Sequence, residues 1–113
     1  MKVDIRKVKI CVTVPEENVD EVRNAMCEAG AGVIGNYDYC SIAGKVVGTF
    51  RPNEKAKPYI GSKNKLEFID EEKLEVVCDI DEAKDVISAL RKVHPYEEPA
   101  IDIIPLLDEG MLN

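Results

Sequence analysis

The sequence predicts an α+β sandwich of order βαββαβ, with an antiparallel sheet of four strands and two helices on one of its faces. Three observations predict it. From Lys7 the chain alternates, with Val8, Ile10, Val12 and Val14 on one face, and it then switches to helical spacing. The same grammar of strand then helix returns from Leu74. The 113 residues are enough for one hydrophobic core of ordinary size, so a single domain is expected over 1–113. Right-handed crossovers fold two such strand-helix-strand units into the ferredoxin-like arrangement.

The first strand presents Lys9, Cys11 and Thr13 on its other side and is ended by Pro15. A helix is predicted over 16–29, where Val19, Val22, Met26 and Ala29 recur at helical spacing. Glu16, Glu17 and Asp20 sit in its first turn, where the helix dipole favours acids. Gly30 and Gly32 stop it, because glycine tolerates the left-handed conformation of a helix end. Strand character follows over 37–42 and 46–50, with Gly44 placed for a hairpin turn between them. A loop over 51–65 carries two prolines and Gly61. Leu74, Val76, Cys78 and Ile80 alternate as a strand, and Asp81 can cap the second helix, whose buried stripe is Ala83, Val86, Ile87, Leu90 and Val93. Pro95 ends that helix by disfavouring the α conformation at His94. The isoleucine-rich run over 100–107 is the last strand.

Such a sheet has a second face that is either solvated or used. Cys11 and Thr13 on it are weakly polar, and Tyr37 and Tyr39 are expected on one side of the second strand, so the free face points to self-association.

Charge narrows the partners. Fifteen Lys and Arg against twenty-two Asp and Glu leave a net charge of −7, which offers no broad basic surface to a nucleic acid. No apolar run is long enough for a membrane span, and the start MKVDIRKVK lacks the apolar stretch of a secretory signal, so a cytoplasmic protein is expected. The four cysteines are widely spaced with no C-x-x-C pair, and reduced thiols are the default reading. The single histidine, His94, makes a self-contained hydrolytic metal centre a poor fit.

Several residues are candidates for chemistry. Arg51 stands where an apolar strand meets a loop and suits a carboxylate or phosphate, or equally an inter-subunit ion pair. Asn36 and Tyr37 lie in the glycine-rich segment after the first helix; helix first and glycines second is the reverse of a phosphate loop, so a C-cap and turn are expected there. Cys40 has no sequence partner that would make it a nucleophile. Glu97 and Glu98 are adjacent and would diverge on a strand, which favours a solvated turn over an acid and base pair; Tyr96 precedes them. His94 reads either as a helix-end residue whose ring caps the last carbonyls or as a metal ligand with Glu97, Glu98 or Cys40.

Three segments, GAGVIGNYDYCS at 30–41, GTFRP at 48–52 with KPYIG at 57–61, and HPYEEPA at 94–100, together closely resemble the domain inserted in proteins of the Nif-three-like family. The resemblance runs over about 7–106, and the fold it implies is similar to CutA and to the PII signalling proteins. It departs from the family pattern at Ile42, where a Phe is usual, and at Lys45 and Val46, where the hairpin is commonly richer in glycine.

Full-length members of the family resemble metal-dependent hydrolases and GTP cyclohydrolase homologues, with the dinuclear metal site in a flanking domain. The resemblance therefore implies a non-catalytic module that binds a small molecule or a protein, trimeric by analogy, with ligands in clefts between subunits. Two alternatives come with it. One is divalent cation binding of the CutA kind through His94, which lies in the His-Pro-Tyr-Glu string shared with CutA-like proteins. The other is an accessory subunit completed by a partner that carries the metal domain.

Overall fold

The computed structural model describes residues 3–113; residues 1 and 2, the first two of the predicted domain, lie outside the described residues. β1 (Lys7–Pro15) buries Val8, Ile10, Val12 and Val14 against two helices, as its alternation requires. A 3-10 turn (Glu16–Asn18) leads into α1 (Val19–Glu28), which inserts Val22 and Met26 into the same core. β2 (Ile42–Phe50), β3 (Glu67–Asp79), α2 (Ile80–Val93) and β4 (Ile101–Leu106) complete the order, with a short 3-10 turn at Glu109–Met111. The sheet is antiparallel in the order β2-β3-β1-β4, and α2 closes the core with Ala83, Val86 and Leu90. This is the predicted α+β sandwich, with both helices packed on the face that carries Ile10, Leu74 and Val76.

Three local expectations are corrected. Of the segment over 37–42 only Ile42 is strand, as the first residue of β2: Tyr39 has a φ of 53°, and the Cys40 N–H donates to the Gly32 carbonyl at 2.8 Å, closing a loop. Tyr37 and Tyr39 therefore do not share a sheet face, and Tyr37 instead forms an isolated bridge with Ile34. Gly44 does not turn a hairpin but sits inside β2 opposite Lys73. The α2 cap falls on Asp79, not Asp81, and its carboxylate is held by Lys7 at 2.8 Å.

β3 is longer than its alternation announced. Its first half, Glu67 to Asp70, pairs with Val47 to Phe50 and leaves Val47 and Phe68 exposed on the side where the helices have ended. The projection lengthens the molecule. Its radius of gyration is 15.7 Å, against about 13 Å for a compact chain of this length.

All four cysteines are free, and burial pushes the Cys11, Cys27 and Cys78 thiols up from the ordinary range. Cys11, expected on an open face, is 2% exposed, and its thiol faces the Glu75 carboxylate at 3.6 Å. No helix among the described residues is long and apolar enough to cross a membrane.

Candidate functional site

The site begins where α2 stops. The His94 N–H still donates to the Leu90 carbonyl, but ψ of 131° turns the chain away, as the following proline requires. The ring then packs across β1. Pairing of β4 with β1 ends at Val12 and Ile101, so the Thr13 carbonyl beyond it has no strand partner on that edge. His94 Nε2 donates to that carbonyl at 2.8 Å, while Nδ1 accepts the Tyr96 N–H at 3.1 Å. Together the two bonds require the neutral Nε2–H tautomer. Burial lowers the His94 pKa in the same sense, against opposing contributions from the Thr13 carbonyl and Glu71.

One expectation for His94 is corrected, since its ring does not cap the carbonyls of its own helix. Both ring nitrogens are engaged by backbone groups in this arrangement. Among the described residues no three His, Cys, Asp or Glu side chains converge as a metal site. Cys40 is held in a different loop. That loop is anchored where the Gly32 N–H meets the Val77 carbonyl opposite Lys9, about 13 Å along β1 from Thr13 at the usual strand rise.

From His94 the chain carries Tyr96 over the helix-free face of the sheet. The Tyr96 hydroxyl donates to Glu71 Oε2 at 2.7 Å, and the two aromatic rings of His94 and Tyr96 lie 4.8 Å apart. Glu71 is only 4% exposed. Burial and the neighbouring Glu71 carboxylate push the Tyr96 phenol well above its ordinary range. A second aromatic, Tyr59, tilts at 49° to Tyr96 with ring centroids 6.3 Å apart. Its loop is tied down by the Lys57 N–H donating to Glu97 Oε1 at 3.0 Å and by the Asn64 N–H donating to the Pro52 carbonyl.

Between that loop and the 94–100 segment lies a cavity of about 230 Å³, with Thr13 and Glu71 contributed by the sheet. Arg51, Tyr96, Glu97 and Glu98 all line it, so four of the residues singled out in sequence are brought together. Asn36, Tyr37 and Cys40 are not among its walls; they belong to the loop after α1. Sequence reasoning missed Glu71 and Tyr59. Tyr59 had a signal, its place in the KPYIG string, whereas Glu71 had none in a run of acids.

The cavity is mixed in character. Phe50, Pro52, Pro58 and Ile60 give it apolar walls, and Arg51 is the one cationic side chain that lines it. Nothing in this arrangement pairs a nucleophile with a base. The His94 ring is committed to two backbone groups, and the Glu71 carboxylate is held by a phenol.

No protein-family model matches the chain. Among curated proteins it is 47% identical over 102 residues to the GTP cyclohydrolase 1 type 2 homologue of Halalkalibacterium halodurans, covering 90% of this chain and 27% of that protein. The homologue of the same name from Bacillus subtilis is 45% identical over 98 residues, covering 87% of this chain and 26% of the relative. The chain thus spans about a quarter of the length of the curated relatives it matches.

Among solved structures, the Bacillus cereus protein related to NIF3 superposes with a TM-score of 0.81 at 36% identity, covering 95% of this chain and 27% of that one. CutA1 from Shewanella sp. SIB1 superposes with a TM-score of 0.69 at 17% identity, covering 94% of this chain and 86% of that one, and so shares the fold. The chain is thus homologous to about a quarter of these GTP cyclohydrolase 1 type 2 homologues and of the protein related to NIF3, and it has the fold of CutA1.

Proposed function

We propose that this chain is a non-catalytic binding module of a regulatory kind, and that the cavity between the 51–65 loop and the 94–100 segment is where its small-molecule ligand enters. The observation that carries the reading is convergence. The GTFRP and KPYIG strings belong to one loop region and HPYEEPA lies about thirty residues further along the chain, yet each contributes to the walls of this one cavity. The hydrolase chemistry in the names of the longer relatives belongs, in this reading, to the three quarters of their length that the chain does not match. The test is a fragment screen by heteronuclear NMR on the chain. Neutral fragments should shift the amides of Arg51, Ile60, Tyr96 and Glu97 together, and a screen in which no compound moves them would defeat the reading.

We further propose that the module works as a homo-oligomer, a trimer by fold analogy. The projecting β2 and β3 arm supports this, because Val47 at 66% and Phe68 at 69% exposure lie beyond the helices on a two-stranded ribbon with no core of its own. Light scattering at micromolar concentration should return three times the 12.6 kDa of the chain. A monomer would remove the self-association reading.

A further inference from the structure

Glu71 is a buried carboxylate without enough partners. Its Oε2 accepts the Tyr96 hydroxyl, but among the described residues no hydrogen bond is donated to Oε1, and none of the ion pairs includes it. An ionised carboxylate can take about four hydrogen bonds; Oε1 is not closed off from water, and Glu71 lines the cavity, so a ligand ammonium that displaces water there gains a charge-assisted bond. Arg51 is in the mirror position. It lines the same cavity and is exposed, yet it takes part in no ion pair or side-chain hydrogen bond among the described residues.

We infer that the cavity takes a small zwitterion, with an ammonium group against Glu71 and the Tyr59 and Tyr96 rings, and a carboxylate or similar anion at Arg51. The inference rests on the cavity being the ligand site and adds the class of ligand. Three features carry it. A buried acid short of donors selects a group that brings several N–H bonds and a positive charge. Two tyrosine rings, tilted at 49° to each other, line the same cavity, and aromatic rings attract a cation. The volume of about 230 Å³ holds about eight water-sized groups, and the proline, phenylalanine and isoleucine walls suit a short apolar side chain carried beside the two charges.

Four probes with one branched alkyl body test it: L-leucine, isopentylamine, 4-methylpentanoate and 3-methylbutan-1-ol, each titrated into the chain by calorimetry with NMR mapping. L-Leucine should bind about tenfold tighter than 4-methylpentanoate and the alcohol, with isopentylamine between. Glu71→Gln keeps an acceptor for Tyr96 and should weaken L-leucine and isopentylamine about tenfold while leaving the alcohol unchanged. Arg51→Ala, an exposed change that does not threaten folding, should weaken L-leucine and spare isopentylamine.

If 4-methylpentanoate matches L-leucine, or Glu71→Gln binds both amines as the parent does, the zwitterion assignment is overturned while shifts of the cavity amides by the alcohol keep the cavity itself as a site. If none of the four probes moves those amides, the assignment and the cavity reading both fall.

Discussion

The Glu71 carboxylate lies beside the Gly48 α-carbon, in space that a β-carbon on Gly48 would fill. The two residues sit on adjacent strands, with Gly48 opposite Ile69 in the ladder, so Glu71 reaches diagonally across the pair toward Tyr96. Glycine is needed at position 48 for this reason and not for its backbone freedom.

Gly48→Ala should therefore dislodge Glu71 from Tyr96. The expected cost in urea denaturation is about 1–3 kcal/mol, the range for a buried polar group that loses its partner, reduced by the few tenths that Ala gains over Gly through the unfolded chain. In a Glu71→Ala background the same substitution has nothing to displace. Its cost should fall close to zero there, and an equal cost in both backgrounds would break the proposed contact between the two residues.

The Tyr96 phenol offers a direct readout of the same pair. Burial, and after it the hydrogen bond and charge of Glu71, raise its pKa from 10. A group whose folded-state pKa is raised lends stability that is complete below its unfolded value, and that stability drains away as pH climbs above 10. The Tyr96 ring signals should thus hold in the phenol form past the midpoint expected of a free tyrosine. Glu71→Gln should bring the midpoint down, and a parent Tyr96 that ionises like an exposed phenol would contradict the geometry.

Copper and zinc provide a third test, since both His94 nitrogens are engaged by backbone groups. A cation could reach the ring only by displacing Thr13 or Tyr96, at about 1 kcal/mol or more for the bond broken. Calorimetry on the parent and on His94→Ala should give the same affinity for each metal. A parent that binds either one at least about tenfold more tightly than the variant would restore His94 as a ligand.

What could be read from sequence follows from which residues meet the core. β1, α1 and α2 were legible because Val8 to Val14, Val22 with Met26, and Val86 with Leu90 each repeat at the period of their element, and each packs on the others. The β2 and β3 arm was legible only in part: the strand expected over 46–50 falls inside β2, but Glu67 to Asp70 of β3 went unmarked. Val47 and Phe68 are exposed on it while Val46 and Ile69 are half-buried on the opposite face, so no clean alternation marks the ribbon. The segment over 37–42 misled for another reason. Its tyrosines favour strands in general, but a loop bond from Cys40 to Gly32 and the left-handed Tyr39 decide its path.

At the site, Arg51, Tyr96, Glu97 and Glu98 stood out because they lie in unusual strings. Glu71 did not, because an acid flanked by Asp70 and Glu72 reads as solvated, and its burial is created by tertiary neighbours such as Tyr96 that no local window contains.

His94 gives the module a defined response to acid. Its folded-state pKa lies below 6.5, chiefly through burial, so above that pH the imidazole is neutral in both the folded and unfolded chains and its contribution is whole. As pH falls through 6.5 the unfolded chain takes up a proton that the folded chain resists, and stability declines by at most about 1.4 kcal/mol per pH unit until the lower, folded-state pKa is passed.

The structural reason lies at Nδ1, which must accept the Tyr96 N–H and cannot do so once protonated. The charged groups facing the ring, Glu71 and Arg91, act in opposite directions and do not reverse the effect of burial. His94→Gln removes the titrating group and should flatten this part of the pH profile measured by urea denaturation. A parent whose stability rises as pH drops through 6.5 would mean that the imidazolium, not the neutral ring, is the form the fold prefers.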